Sequence, residues 1–529
     1  MFQIVRKHWR VLMLCVLVSI VTAISAVAVQ FVKGKLLDQA LARSTTLAWR
    51  NGLLLFLLIS AEIGGYYAYN RLRGKFVALS LETLRSRWMA SILCRSVPEF
   101  NKHPQGSYLS TYTNKVESLK MLFFYNIPSI FEIAFKALLV SFSLLRLDYR
   151  IALMTLVLAT TPLYVPKLVE KKLQQSQEES VRTYEHHLTK VVEWLNGFEV
   201  IRNHSVEKIV QKKFDLLGDS VTHAHLQNQK MMFLSQMLST SLSYFSHFIV
   251  LAVAAWLVLR GEFTAGQFFI AISMIDQLSW PILGLSRMTQ DFVSAKPIRD
   301  EVERFLNYAP PSAVKPQRVS EGKPNIHFDQ VSFAFNGEKP LIEGLSLNIP
   351  AGSKVLMLGP SGSGKSTAVN LMLGYLEPQN GRVELENIPA SQVSNMYELV
   401  TILRQEVFLF QGTLRENLSL YQPVSDDDMM KALCRVGLSA WADQARLSLP
   451  IEEGGKNLSG GEKRRIALAR SLLRQSPVLI LDEPLANLDV ESIKRVEQVI
   501  KEISDRTVIF ISHQISPQLK ACFDQVVQF

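Results

Sequence analysis

A glycine-rich segment, Gly359-Pro-Ser-Gly-Ser-Gly-Lys-Ser366, has the residue types and the spacing needed to hold phosphate groups. It matches the pattern G-x-x-x-x-G-K-[ST], follows a predicted apolar strand at 354–358 and precedes a predicted helix that starts at Thr367. Glycines let backbone N–H groups converge on phosphate oxygens, and a helix N-terminus adds positive potential. We expect Lys365 to reach the β- and γ-phosphates of a nucleotide and Ser366 to bind Mg²⁺. The predicted phosphate-binding residues are Gly359, Pro360, Ser361, Gly362, Ser363, Gly364, Lys365, Ser366 and Thr367.

Two adjacent carboxylates, Asp482 and Glu483, follow a second apolar run that begins at Val478. A buried strand there would deliver both acids to the edge of the phosphate site. We predict that Asp482 belongs to the Mg²⁺ shell and that Glu483 polarises the attacking water. Adjacent acids at the start of a helix are also common as caps, so this pair alone is only moderate support for hydrolysis.

The segment Leu458-Ser-Gly-Gly-Glu462, with Arg-Arg-Ile-Ala-Leu-Ala-Arg shortly after it, resembles the signature of ABC ATPases. The resemblance implies that two nucleotide-binding domains close head to tail around two ATP molecules, with Lys365 of one subunit facing Ser459 of the other. The family usually has Gln where this chain has Glu462. The signature residues implied to contact ATP are Ser459, Gly460, Gly461 and Glu462.

Other elements of that family follow in the expected order. The resemblance implies that Phe335 stacks on adenine, where the family usually has Tyr, and that Gln405 is the Q-loop glutamine near the metal. It also implies that Asp489 is the D-loop aspartate, although Ala486-Asn-Leu-Asp departs from the usual Ser-Ala-Leu-Asp. His513 matches the switch histidine that contacts the γ-phosphate. The implied catalytic set is therefore Glu483, His513 and Gln405, and the implied metal ligands are Ser366, Gln405 and Asp482.

The composition of the 529 residues points to a membrane protein. Apolar residues make up 48%, which excludes a disordered chain, and the formal net charge is +10. A basic chain suits nucleic acid, a membrane surface or an acidic ligand, and the distribution of apolar runs favours the membrane, so we predict no nucleic-acid partner. Four scattered cysteines without a C-x-x-C pair argue against a disulfide framework or a cysteine zinc site.

Residues 1–310 contain apolar runs long enough to cross a hydrocarbon core of ~30 Å at 1.5 Å per residue. A cleaved signal peptide is the alternative for the first run, and a buried core helix is the alternative for any later one. Basic residues place the segments 71–120 and 167–230 in the cytoplasm, although the basic loop 33–50 does not fit that rule. The six predicted membrane-spanning helices are 11–32, 52–70, 121–145, 150–169, 231–259 and 266–289.

A proline-rich stretch separates this region from one in which strands and helices alternate. We assign residues 311–324 to a linker and residues 325–529 to a nucleotide-binding domain. The predicted fold class is multi-domain, with an all-α six-helix transmembrane domain followed by an α/β P-loop ATPase domain. The membrane half is itself similar to ABC exporters at 104–120, 196–207 and 260–267. The resemblance therefore covers nearly the whole chain as a half-transporter.

This resemblance implies ATP-driven export of a small or amphiphilic substrate, such as a drug, a peptide or a lipid-like molecule, by alternating access in a dimer. Its implied cofactors are ATP and Mg²⁺, and its partners are a second half-transporter, membrane lipid and the transported molecule. The departures at Glu462 and in the D-loop favour a heterodimer over a homodimer. Import of a metal chelate, lipid flipping and ATP-gated regulation stay open as alternatives. The expected location is a bacterial plasma membrane, with the nucleotide-binding domain in the cytoplasm.

Ionisable residues inside the predicted spans are the sequence's clue to the substrate: Glu62, Glu132, Lys136, His247 and Asp276. Glu132 and Lys136 are spaced i,i+4 and can neutralise each other. Glu62 and Asp276 have no sequence-local partner. Our hypothesis is that one of these two faces the transport cavity and favours a cationic or zwitterionic amphiphile. The alternative is that both lie near helix ends or pair between helices.

Overall fold

The computed structural model describes residues 1–161, 165–308, 317–320, 322–335, 340–486 and 488–529. The chain forms two compact units, which are described separately below. Unit 1 comprises Met1–Cys94 and His103–Tyr308, and unit 2 comprises Arg95–Lys102 and Ala309–Phe529. Unit 2 thus includes a short segment that the sequence analysis placed within the transmembrane domain. Within the predicted linker, residues 311–316 and 321 lie outside the described residues, so the linker stays a prediction.

Helices make up most of the first 308 residues, and in unit 2 helices and strands follow one another along the chain. In chain order the α-helices are α1 (Phe2–Lys7), α2 (Trp9–Leu41), α3 (Thr45–Leu93), α4 (Val97–Asn101), α5 (Gln105–Ser110), α6 (Val116–Leu119), α7 (Asn126–Leu147), α8 (Tyr149–Thr160), α9 (Val165–Asn196), α10 (Phe198–Asn203), α11 (Glu207–Leu259), α12 (Ala265–Leu306), α13 (Lys365–Met372), α14 (Met396–Leu399), α15 (Leu414–Ser419), α16 (Asp426–Arg435), α17 (Gly460–Leu473), α18 (Val490–Glu502) and α19 (Pro517–Lys520). Two π-helical segments cover Thr111–Lys115 and Lys120–Phe124, and single 3₁₀ turns cover Ala390–Gln392, Ser439–Trp441, Arg446–Ser448 and Glu453–Gly455.

Among the described residues, three helices, α2, α3 and α11, are long and apolar enough to cross a membrane, and α8 contains a shorter apolar stretch at Tyr149–Leu158. The first, second and fifth predicted spans lie in these three helices. The third begins in the π-helical segment Lys120–Phe124 and continues on α7, and the sixth lies on α12. The fourth lies on α8 and α9, on either side of residues 162–164, which are outside the described residues. Six crossings therefore stay a prediction.

Helices α3 and α11 are far longer than a bilayer requires. They contain 49 and 53 residues, which corresponds to about 75–80 Å at 1.5 Å per residue, compared with ~30 Å for a hydrocarbon core. Each helix must therefore continue well beyond the hydrocarbon core. This agrees with the polar segments that the sequence analysis placed in the cytoplasm.

The start of α12 packs closely against α2. A Cβ atom on Gly266 would lie 2.3 Å from the carbonyl oxygen of Gly34, so only a glycine fits there without displacing backbone. The carboxylate of Asp38 accepts hydrogen bonds from the Thr264 hydroxyl at 2.8 Å and from the Gly266 N–H at 2.7 Å. Asp38 therefore adds a cap from α2 to the capping box that Thr264 and Gln267 already form at this end of α12.

Unit 2 is an α/β unit with two main sheets. Its strands are β1 (Ile326–Phe333), β2 (Ile342–Ile349), β3 (Lys354–Leu358), β4 (Asn380–Leu385), β5 (Ile388–Pro389), β6 (Val400–Leu403), β7 (Gly412–Thr413), β8 (Pro450–Ile451), β9 (Val478–Asp482), β10 (Thr507–Ser512) and β11 (Gln525–Gln528). One sheet is antiparallel, in the order β2-β1-β4-β5, and a small β7-β8 pair stands apart. The other sheet is parallel, in the order β11-β3-β10-β9-β6.

The parallel sheet is buried on both faces, which is why its strands read as continuous apolar runs. Every residue of β9 and of β10 is buried. Because the strands are parallel, their carboxyl ends meet at one edge of the sheet. In open α/β sheets that edge is where ligands bind.

Candidate nucleotide-binding site

Four neighbouring strands of the parallel sheet deliver the predicted site residues to its carboxyl edge. β3 leads into the phosphate loop, β6 ends just before Gln405, β9 ends at Asp482, and β10 ends just before His513. Register places Ser512 of β10 beside Leu358 of β3 and Ile511 beside Asp482. The sheet topology therefore brings together residues that lie more than 150 positions apart in the sequence.

The phosphate loop has the backbone conformation that its glycines allow. Gly362 has a φ of 79°, and Gly364, which caps α13, has a φ of 99°. The ammonium group of Lys365 donates to the carbonyl oxygens of Gly359 at 2.8 Å and Pro360 at 2.6 Å. It also donates to the Ser363 hydroxyl at 3.2 Å. Because all three acceptors are neutral oxygens, the positive charge stays available to an anion, and burial lowers the pKa of Lys365.

The remaining residues of the phosphate loop differ in how exposed they are. Ser366 is exposed in the first turn of α13, whereas Thr367 is buried beneath it. Pro360, Ser361 and Gly362 are exposed at the tip of the loop. A buried lysine and a helix N-terminus, presented behind an exposed loop, fit the phosphate groups of a nucleotide.

Glu483 is held by two side chains from neighbouring strand ends. Gln405 Nε2 donates to Glu483 Oε2 at 2.9 Å. The Nε2 atom of His513 pairs with the other oxygen, Oε1, and its Nδ1 atom bonds the carbonyl oxygen of Gly359 at 2.8 Å. A carbonyl oxygen only accepts, so Nδ1 is the donor in the bond to Gly359. Gln405 and His513 therefore hold the Glu483 carboxylate between two neighbouring strand ends, beside the phosphate loop.

Asp482 occupies the last position of β9 and is 6% exposed. Burial raises the pKa of its carboxyl group, while the positive charge of Arg404 opposes that rise. Asp482, Gln405 and the exposed hydroxyl of Ser366 supply oxygen ligands, which Mg²⁺ prefers. Glu483 follows directly, with a φ of 50° that is uncommon for a side chain of this size. Because of this backbone conformation, the adjacent side chains of Asp482 and Glu483 lie in different environments.

Sequence reasoning missed Arg464, a buried residue in α17. Its guanidinium group donates to the backbone carbonyl oxygens of Glu483 and of Gln405, the latter at 2.6 Å, and burial lowers its pKa. The arginine thus holds the backbone on both sides of the Gln405–Glu483 hydrogen bond. One signal was present in the sequence, because Arg464 shares a helical face with Ala467, Leu468 and Ser471, which are all buried.

The signature residues form a separate feature at the start of α17. Ser459 caps the helix, and its hydroxyl donates to Glu462 Oε2 at 2.7 Å. The backbone N–H groups of Glu462 and Ser459 complete a capping box at 3.2 and 2.8 Å. Gly460 and Gly461 begin the helix. In the part of the chain that the structure describes, no hydrogen bond joins these residues to the phosphate loop.

Two other predicted contact residues also lie apart from the loop. Phe335 is 47% exposed and packs edge-to-face on Phe333, with ring centroids 4.9 Å apart. Asp489 caps α18 by accepting from the Ser492 hydroxyl at 2.6 Å and from its N–H at 3.1 Å. The hydroxyl bond is the main reason that the pKa of Asp489 is lowered. The altered D-loop residue Asn487 lies outside the described residues.

Comparisons with known proteins find a family match for each of the two parts of the chain. Residues 12–282 match the family model for the ABC transporter transmembrane region, and residues 342–486 match the model named ABC transporter. The Streptococcus pneumoniae protein exp8, named as an ABC transporter ATP-binding protein, is 25% identical over 94% of this chain and 86% of its own length. An ATP-dependent lipid A-core flippase of Neisseria meningitidis is 26% identical over 87% of this chain and 76% of its own length.

A solved structure of a bacterial Atm1-family ABC exporter with ATP bound is similar in fold. The TM-score is 0.85 at 18% sequence identity, and the match covers 99% of this chain and 93% of that chain. The predicted fold class, a helical transmembrane domain followed by an α/β nucleotide-binding domain, is confirmed.

Proposed function

The chain belongs to the ABC transporter family, and from that premise we propose that it exports a small or amphiphilic molecule by alternating access in a dimer. It binds ATP and couples ATP hydrolysis to transport. It is an integral protein of the plasma membrane, and in this family the nucleotide-binding domain is cytoplasmic. Half-transporter exporters function as dimers. The observation that supports the ATP-driven part of the proposal is the Glu483 carboxylate, which Gln405 and His513 hold beside the phosphate loop.

In this proposal each site residue has a defined task. Lys365 and the N-terminus of α13 bind the phosphates. Ser366, Asp482 and Gln405 would hold Mg²⁺, which would neutralise part of the phosphate charge when bound. Glu483 polarises the attacking water as a general base, and His513 orients Glu483 in the arrangement described here. Contact of His513 with the γ-phosphate would require one of its ring nitrogens to leave its present partner. The raised pKa of Asp482 falls as a cation binds, because an adjacent positive charge favours the carboxylate.

Residues outside the loop are assigned to further contacts with ATP. Phe335, an exposed aromatic, stacks on adenine. Ser459 and the glycines after it receive the γ-phosphate of the ATP that the other subunit holds, at the N-terminus of α17. Asp489 lies near the same interface. The assignments of Ser459 and Asp489 require a second nucleotide-binding domain.

We propose a heterodimer, in which this chain pairs with a different half-transporter. This chain has all of its own hydrolytic residues, namely Lys365, Asp482, Glu483 and His513. It would therefore contribute a site that can bind and hydrolyse ATP. The two departures, Glu462 and the altered D-loop, lie on the side that serves the other subunit's ATP. A partner with a weaker site is compatible with both features.

Lipid flipping is a second candidate function. The Neisseria meningitidis relative is named as a flippase of a lipid A-core molecule, and it matches 87% of this chain. A lipid is a large amphiphile, so the same alternating-access mechanism would serve it. Lipid translocation in vesicles that contain the chain separates this candidate from drug or peptide export.

The deciding experiment measures ATP hydrolysis by the purified chain in nanodiscs, alone and beside its Glu483→Gln variant. Activity that the variant loses assigns catalysis to Glu483 and shows a competent homodimer, which would overturn the heterodimer. A folded chain that binds ATP without hydrolysing it supports a missing partner. Equal activity in both proteins would overturn the assigned site. ATP-dependent uptake of amphiphilic dyes into inverted vesicles then tests export itself.

A further inference from the structure

Two of the ionisable side chains in the predicted spans meet between α11 and α12. His247 Nε2 lies 2.9 Å from Asp276 Oδ1. The side chain of His247 is 22% exposed and that of Asp276 is 67% exposed. The pair thus joins the fifth and sixth predicted spans, and it leaves most of the carboxylate accessible.

Both residues lie at the same depth. His247 is 12 residues before Leu259, where α11 ends, and Asp276 is 11 residues after Ala265, where α12 begins. At 1.5 Å per residue both lie about 17 Å from the turn that joins the two helices. This is close to the middle of a hydrocarbon core of ~30 Å. In the predicted fifth and sixth spans, the pair would therefore lie near the middle of the membrane.

A carboxylate at that depth is costly unless it faces the bundle interior or water, and such residues mark substrate pathways. His247 binds only Oδ1 of Asp276. Among the described residues, no hydrogen bond or ion pair reaches Oδ2. Asp276 therefore presents one carboxylate oxygen that a transported molecule can bind.

Aromatic side chains flank the pair on α11. Tyr244 and Phe248 are 72% and 64% exposed and lie three residues before and one residue after His247. Tyr244 and Phe248 are spaced i,i+4, so they share a face of the helix, and His247 is spaced i,i+3 from Tyr244. Aromatic faces beside a carboxylate suit a cation that carries apolar groups.

We propose that Asp276 forms a subsite for the cationic group of an amphiphilic substrate, with His247 as a positioning residue. This inference rests on the proposed export function and specifies its substrate class. Asp276 supplies the negative charge through Oδ2. His247 fixes the orientation of the carboxylate through Oδ1 and does not contact the substrate. Tyr244 and Phe248 pack against the apolar part.

The test uses two probes of nearly equal shape and opposite charge, tetraphenylphosphonium and tetraphenylborate. Binding of each probe is measured to the full chain in nanodiscs, in the dimer that the ATPase experiment identifies. We expect the wild type to prefer the phosphonium. Asp276→Asn should weaken phosphonium binding at least tenfold and leave borate binding unchanged, and Asp276→Glu should restore it. His247→Gln leaves the negative charge of Asp276 in place, so its affinity for the phosphonium should stay within about threefold of the wild-type value.

A control and a second variant keep the test decisive. Glu62→Gln removes another carboxylate from a predicted span, on α3, and should leave both affinities unchanged. If Asp276→Asn fails to fold, His247→Lys places an ammonium group against the same carboxylate and should also weaken phosphonium binding. Unchanged phosphonium binding in the folded Asp276→Asn variant would overturn the subsite. An equal loss in Glu62→Gln would also overturn it, since the effect would then be one of overall charge.

Transport measurements on the same proteins distinguish a failure of the proposed export function from a failure of the proposed cation subsite. If the wild type binds the phosphonium through Asp276 but exports no amphiphile when ATP is supplied, the export function fails and the cation subsite stands. If it exports amphiphiles and phosphonium binding is independent of Asp276, the subsite fails and the export function stands.

Discussion

The imidazole of His513 connects the carboxylate of Glu483 to the phosphate loop. Its Nε2 atom pairs with Glu483, and its Nδ1 atom bonds the carbonyl oxygen of Gly359 at 2.8 Å. Gln405 binds the other carboxylate oxygen at 2.9 Å. A single carboxylate thus links the ends of β6, β9 and β10 with the loop after β3. The orientation of Glu483 depends on all of these contacts together.

Replacing His513 tests that dependence. His513→Ala removes the bond to one oxygen of Glu483, and we expect kcat for ATP hydrolysis to fall about 10²- to 10³-fold, the range for a misplaced general base. The measurement is steady-state ATP hydrolysis in nanodiscs. His327→Ala, an exposed histidine on β1, is the control and should keep full activity. A kcat within threefold of wild type in His513→Ala would contradict the role.

Arg464 supports the same carboxylate from the backbone side. Arg464→Met removes the donors to two carbonyl oxygens in a buried setting, which costs about 1–3 kcal/mol for groups left unpaired. We expect a lower Tm of the nucleotide-binding domain together with reduced kcat. Arg495→Met, which breaks an exposed pair with Glu491, should change neither quantity measurably. A stable and fully active Arg464→Met variant would show that these bonds are dispensable.

Glu462 places a negative charge in the capping box where the other subunit's γ-phosphate is proposed to dock. Glu462→Gln keeps an amide oxygen for the box and removes the charge, so the KM for ATP should fall roughly two- to tenfold. The matched control is Glu416→Gln, which alters the capping box of α15. That variant should leave KM unchanged. An unchanged or higher KM in Glu462→Gln would argue against charge repulsion at this helix.

The close approach of α2 and α12 predicts a packing effect in unit 1. Gly266→Ala places a Cβ atom against the backbone of Gly34 and the Asp38 carboxylate, and overpacking of this kind costs about 1–3 kcal/mol. The variant should show a lower Tm in detergent. Gly218→Ala is the control, because a Cβ atom there meets nothing within 4 Å on α11. It should be neutral or stabilising. Equal melting of all three proteins would refute the packing argument.

The Arg415–Asp426 pair predicts a pH dependence of stability. Hydrogen bonds from Arg415, one of them 2.8 Å long, lower the pKa of Asp426. A carboxyl group with a depressed pKa stabilises the fold above its ordinary range, near pH 4, and loses that contribution as the pH falls through its folded pKa. The Tm difference between wild type and Arg415→Gln should therefore be largest at neutral pH and shrink below about pH 4.

Lys431→Gln provides the comparison for this titration. Lys431 is exposed on α16, the helix that begins with Asp426, so its replacement removes a positive charge without touching the pair. Its Tm difference from wild type should stay constant over the same pH range. A difference between wild type and Arg415→Gln that persists unchanged at pH 3 would contradict the assignment to Asp426.

Local patterns made part of this architecture predictable. The phosphate loop and the strand before Asp482 are continuous in sequence, and their residue types follow from backbone sterics and from burial on both faces of a sheet. The positions of Gln405 and His513 followed from the family resemblance, because nothing local marks a glutamine or a histidine after a short strand. Topology then explains why all of them meet, since parallel strands end at one edge.

Contacts between distant segments were not predictable. Arg464 reaches two backbone carbonyl oxygens, and backbone acceptors leave no signature in a sequence. Asp276 pairs with His247 on another helix, which is the pairing between helices that the sequence analysis kept as the alternative to a cavity-facing carboxylate. The sequence showed that Asp276 has no local partner but could not name His247. The i,i+4 pairing of Glu132 and Lys136 is not found among the ion pairs of the described residues. Spacing on one helix permits such a pair, but tertiary packing decides it.

The strand order also has a consequence for synthesis of the chain. β3, which carries the phosphate loop, lies between β10 and β11, and its first residue pairs with Val508. Both neighbours are therefore translated about 150 residues after β3, which takes roughly 8–30 s at 5–20 residues per second. Until then β3 has no hydrogen-bonding neighbour in its sheet and exposes two unpaired edges. The nascent nucleotide-binding domain should depend on chaperones during that interval, and ATP cannot assist its folding before the last strands emerge.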